Sequence, residues 1–137
     1  MDIERLKQKK AVLQRIGEGM LASSNTGIDD LWLFVKAGAG WVDISLYEIG
    51  EGTLTWCRRD ILLSDALFDL WEIDPQDKRW FGMVFEVHGQ SFTTEFFFDG
   101  ELPGDEVNGE AREFLISRRF ANFKVVYPPM AQDQSPD

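Results

Sequence analysis

Three carboxylates, Asp65, Asp69 and Glu72, recur at a spacing that puts them on one side of a helix. Like charges at i, i+4 cost roughly 0.2–0.5 kcal/mol in an isolated helix, and nothing basic in the same stretch offsets them. Paired carboxylates carry acid–base chemistry when a pocket shifts the pKa of one of them. The sequence points to no such pocket. A row of exposed acids also steers a basic partner, and its bland reading is a solvated face.

Other chemistry is sparsely supplied. His88 is the single histidine. It sits beside a turn, on the face away from Phe85 and Val87, where a surface residue is expected. No Gly-x-Ser-x-Gly surrounds a serine, and Cys57 lies far off in sequence, so no catalytic residue is assigned. One histidine and one cysteine do not make a zinc site. No Gly-rich loop followed by Lys-Ser/Thr is present. Residues 99–110 have an acid at position 1, Gly at 6 and Glu at 12 of a calcium loop. Pro103 at position 5 and Glu106 at position 8 break that pattern. Neither a metal nor a cofactor is expected.

The charge is informative. The chain of 137 residues carries a net −10. Residues 21–110 hold five basic and eighteen acidic side chains, a local −13. That segment repels nucleic-acid phosphates and attracts basic proteins, although acidic surfaces also serve solubility. The single cysteine fits a reducing compartment. The charged start MDIERLKQKK is no signal peptide, and no apolar run spans a bilayer. The reading is a cytoplasmic protein that binds neither membrane nor nucleic acid.

Positioning these groups requires a fold, and periodicity predicts one. Residues 3–21 read as an amphipathic helix with Ile3, Leu6, Leu13, Ile16 and Met20 on one stripe. Strands follow at 31–37, 41–49 and 53–57. A three-residue loop in the first hairpin pairs Ile44 with Phe34 and Leu46 with Trp32. A four-residue loop pairs them with Leu33 and Leu31, and both registers are apolar. A second helix runs to Ile73, with Asp60 or Ser64 as N-cap and Leu63, Ala66, Leu67, Leu70 and Trp71 as its stripe. A third is expected near 106–120, with Val107, Ala111, Phe114, Leu115 and Arg118 on one face.

The most specified stretch is RWFGMVFEVHGQSFTTEFFFDGE, residues 79–101. Folding it at Gly89-Gln90 pairs residues whose numbers sum to 179. Phe81 then faces Phe98, Met83 faces Phe96, Phe85 faces Thr94 and Val87 faces Phe92. A slip by one residue carries Glu86 and Glu95 into the core. Gly at the first turn position suits a type II′ hairpin. The other face collects Trp80, Val84, Glu86, His88, Thr93, Glu95 and Phe97. It is either covered by the chain's own helices or a second copy, or open as an aromatic–acidic docking patch.

The order α-βββ-α-ββ-α gives an α+β domain of two layers, an antiparallel sheet of about five strands with helices packed on one face. Residues 1–127 form one domain, and 128–137 are expected to be a flexible tail.

The Trp-containing strand 31–37, the Asp- and Leu-rich second helix and above all RWFGMVFEVHGQSFTTEFFFD resemble the YezG-like immunity proteins of bacterial polymorphic toxin systems. The resemblance spans roughly residues 1–120. It implies a small cytoplasmic protein that binds and neutralises a cognate toxin, often a nuclease, and it carries over no binding residue.

Charge and resemblance together give a non-enzymatic binding protein for a basic toxin. Its expected contact residues are Asp65, Asp69, Glu72, Trp80, Glu86, Glu95 and Phe97. The alternative is a self-associating adaptor that forms a homodimer through the outer hairpin face. A small ligand-binding domain or enzyme working through scattered carboxylates is a weaker one.

Overall fold

The structure is a computed structural model that describes residues 3–24, 26–58, 61–102 and 109–127. The elements in chain order are α1 (Ile3–Ser23), β1 (Asp30–Gly38), β2 (Trp41–Ile49), β3 (Thr53–Cys57), α2 (Ile61–Ile73), a 3₁₀ turn (Gln76–Lys78), β4 (Gly82–His88), β5 (Ser91–Phe97), α3 (Glu110–Arg119) and β6 (Lys124–Val126). The expected α+β class and element order are found. The strands form one sheet in the order β5-β4-β1-β2-β3-β6. All neighbours are antiparallel except β3 and β6, so the sixth strand makes the sheet mixed.

The sheet is covered on both sides, not on one. Leu31, Leu33, Val35, Met83, Phe85 and Val87 meet α1 and α2 through Val12, Ile16, Met20, Leu63, Leu67 and Leu70. Trp32, Phe34, Tyr47, Val84 and Phe97 meet α3 and the turn after it through Ala111, Leu115, Ile116 and Phe120. The cause lies in β1. LWLFV is apolar at every position, and a strand with two apolar faces must be buried on both. Each large apolar side chain so buried stabilises the fold by about 1.5–3 kcal/mol.

The β4–β5 hairpin has the expected register, with Met83 opposite Phe96, Phe85 opposite Thr94 and Val87 opposite Phe92. Gly89 has φ +63° and no described non-glycine residue has positive φ, the signs of a type II′ turn. The alternation ends with the strands. Phe81, before β4, packs in the α3-side cluster, and Phe98, after β5, is exposed. Neither lies in the α1/α2 core where the pattern placed it.

The β1–β2 register is a third one. Ile44 faces Val35 and Leu46 faces Leu33, closed by the two-residue turn Ala39-Gly40 with Gly40 at φ +84°. Because β1 is apolar on both faces, its pattern cannot select among registers.

Helix faces also shifted. In α1 the buried positions are Val12, Ile16, Gly17, Met20 and Ser23, while Ile3 and Leu6 are exposed. In α3 Ile116 is buried instead of Phe114 and Arg118, which are exposed. Asp60, Val107, residues 103–108 of the acidic loop and the tail from 128 lie outside the described residues. Among the described residues no helix is long and apolar enough to cross a membrane.

Candidate partner-binding surface

Helix α2 turns Leu63, Ala66, Leu67 and Leu70 to the sheet. That i, i+3, i+4, i+7 stripe fixes what faces outward. Leu62, Asp65, Asp69 and Glu72 are all exposed. Asp69 accepts a hydrogen bond from Arg15 of α1 at 2.9 Å, with both side chains about half exposed. Asp65 and Glu72 have no ion pair among the described residues.

Between α1 and α2 lies a groove of about 330 Å³. Its lining is Gly19, Ala22 and Ala66 together with Leu62, Glu18, Asp65 and Arg15. Gly19 lets the helices approach closely, since a β-carbon there would come 3.3 Å from the Leu63 side chain. Leu62 is 67% exposed. Small apolar side chains flanked by two acids suit an apolar side chain of a partner accompanied by a cation.

The outer face of the β4–β5 hairpin is closed by α3. His88 bonds Asp30 through Nδ1 at 2.9 Å and Glu86 through Nε2 at 2.7 Å. Arg119 grips the same Glu86 through Nε at 3.1 Å and Nη2 at 3.2 Å. Arg118 stands 3.9 Å from Glu95. Both imidazole nitrogens face carboxylate oxygens, and only the protonated ring donates to both. The hydrogen bond to Asp30 first, and that to Glu86 second, raise the His88 pKa above its ordinary value. Glu86 is thus bound by its own chain from two elements.

The seven expected contact residues do not share one surface. Asp65, Asp69 and Glu72 form an exposed edge on the α1/α2 side. Glu86 and Glu95 sit on the opposite face of the sheet, beneath the arginines of α3. Trp80 is 1% exposed and packs on Phe96 at 5.7 Å, in the α1/α2 core. Phe97 is 6% exposed in the cluster that α3 covers. Neither aromatic ring is available to a partner in the folded chain. Trp80 precedes β4, so strand alternation does not govern its direction. Val84 and Phe97 are apolar because α3 lies on them.

Sequence reading missed the groove and the α3 clamp. Leu62 gave one signal, an apolar residue off the buried stripe of its helix. Arg118 and Arg119 gave another, a basic pair at a helix end with the acids Glu86 and Glu95 on the hairpin to receive it. Among the described residues no group of three or more His, Cys, Asp or Glu could hold a metal ion. No protein-family model matches the chain, and no curated protein matches it significantly.

Proposed function

We propose that this protein binds and neutralises a basic protein partner, as an immunity protein does a cognate toxin, and that it acts by occlusion in the cytoplasm rather than by catalysis. One observation carries the reading. The acids Asp65, Asp69 and Glu72 stand exposed along α2, beside a groove with an exposed leucine at its rim. The net charge of −10 acts in the same sense. Electrostatic steering raises association rates by about 10 to 10³ over a neutral pair. A nuclease toxin is a fitting target, because a groove that holds nucleic acid is basic. The aromatic hairpin that resembles the YezG-like immunity proteins supports the same reading.

The test is co-expression with the C-terminal domain encoded by the neighbouring gene. Rescue of growth, together with a complex isolated at low salt, is the expected result. A host that dies although both proteins are soluble would sink the reading for that pair.

A further inference from the structure

Among the described residues, β5 has a sheet neighbour on one side only. It pairs with β4 in one unbroken register from Gly82–Phe97 to His88–Ser91. A two-residue turn closes on a hydrogen-bonded pair, so Ser91, Thr93, Glu95 and Phe97 exchange hydrogen bonds with β4. Phe92, Thr94 and Phe96 therefore direct their N–H and C=O groups away from the sheet. The strand carries neither the proline nor the lysine with which proteins blunt an edge, and its single charge is Glu95.

We propose that β5 pairs antiparallel with β5 of a second copy, about a two-fold axis through Thr94. In that register Thr94 faces Thr94 of the second copy, Phe92 faces its Phe96, Thr93 its Glu95 and Ser91 its Phe97. Every outward backbone group of Phe92, Thr94 and Phe96 is then satisfied, with about six hydrogen bonds across the seam. The half-buried rings of Phe92 and Phe96 cover one another on the α1/α2 side.

Side-chain matching selects this register, and the pairing of Phe92 with Phe96 and of Thr93 with Glu95 makes the strand complementary to a second copy of itself. An axis through Glu95 would set two like charges opposite each other, and an axis through Thr93 would leave Phe97 without a strand partner. About Thr94, Glu95 meets a threonine, and Arg118 of its own chain stands 3.9 Å away to offset it. The chains still repel through their net charge of −10 each, so added salt strengthens the pairing. Binding of a basic partner weakens with salt, which separates the two interactions.

Sedimentation velocity from about 5 to 500 µM, at low and high salt, tests the proposal. Thr94 is exposed, so Thr94→Lys and Thr94→Glu leave the fold intact. The expected result is a wild-type dimer favoured by concentration and salt, with each variant alone monomeric. An equimolar mixture of the two variants dimerises again, because position 94 faces itself. A wild-type monomer throughout the range overturns the proposal and leaves the edge to a strand of another protein. A Thr94→Lys protein that dimerises like wild type overturns it too, and a mixture that stays monomeric overturns the axis at Thr94.

Discussion

The ring of Phe92 on β5 occupies the space that a side chain at position 17 of α1 would fill. A β-carbon at Gly17 would stand 2.4 Å from two ring atoms. Gly→Ala in a helix ordinarily stabilises by roughly 0.5–1 kcal/mol. Overpacking costs about 1–3 kcal/mol, and the Phe92 ring is held in place by Phe85 at 5.6 Å. The steric term wins, so Gly17→Ala lowers stability by about 1 kcal/mol in urea denaturation. In a Phe92→Ala background the sign reverses and the helix gain emerges. Additive effects in that double-mutant cycle would show that the two sites do not touch.

That contact also marks the limit of what the sequence discloses. Period-2 alternation along Met83–Val87 and Phe92–Phe96 specified the hairpin because Glu86 and Glu95 penalise a slip. Gly17 carried no signal, because a close approach is a property of two elements. LWLFV held the signal for a second covered face, yet an apolar run alone does not say which element covers it. Trp80 was placed wrongly by carrying strand alternation back past Gly82 into a segment that is not strand. The acid row of α2 was legible, since helical spacing fixes which side faces out. Its neighbouring groove was not, because α1 supplies much of it.

His88 gives a titration readout from a single residue. Asp30 foremost, and then Glu86, raise its pKa above the ordinary 6.5. A folded pKa above the unfolded one means that proton binding favours the fold. The contribution is complete below about pH 6.5 and is lost as pH rises through the folded value. Stability therefore falls over that interval, and the fall disappears in His88→Gln. An NMR titration of the one imidazole should give a midpoint above 6.5, lowered by Asp30→Asn and by Glu86→Gln. A midpoint that neither substitution moves would remove the two carboxylates as its cause.

Trp71 and Trp80 invert the usual ranking by burial. Trp80 is the more buried, yet its Nε1 has no hydrogen-bond partner among the described residues. Trp71 is only partly buried, but its Nε1 donates to the Trp80 carbonyl at 2.7 Å. Trp71→Phe therefore leaves that carbonyl without its donor and costs about 1–3 kcal/mol. Trp80→Phe removes an unsatisfied donor along with some packing, and is expected to be the milder change. Thermal melts of the two variants decide the order.

Phe97 distinguishes a core role from a contact role. Its ring lies with Leu115 and Phe120 in the cluster beneath α3. Phe97→Ala should cost about 3–5 kcal/mol in stability. At a temperature where the variant is still folded, partner affinity should be unchanged. A large affinity loss without a stability loss would mean that the ring leaves the core to bind.

The acid edge of α2 is expected to govern association rate rather than folding. Asp69 and Arg15 form an exposed pair, a type worth about 0.2–1 kcal/mol. Asp65 has no ion pair to lose among the described residues. Reversing both charges, with Asp65→Lys and Asp69→Lys, therefore changes stability by about 1 kcal/mol or less. It places two cations where a basic partner approaches, beside the groove that holds Glu18 and Leu62. The on-rate for a basic partner should fall about tenfold or more at low salt, and the difference should fade at high salt. Glu95→Lys, on the opposite face of the sheet, is the control with half the charge change of the double variant, and it should slow association by far less than half as much in log rate. Slowing in proportion to the charge change, twice as large in log rate for the double variant, would assign the effect to net charge alone, and an unchanged rate in the double variant would take α2 out of the docking surface.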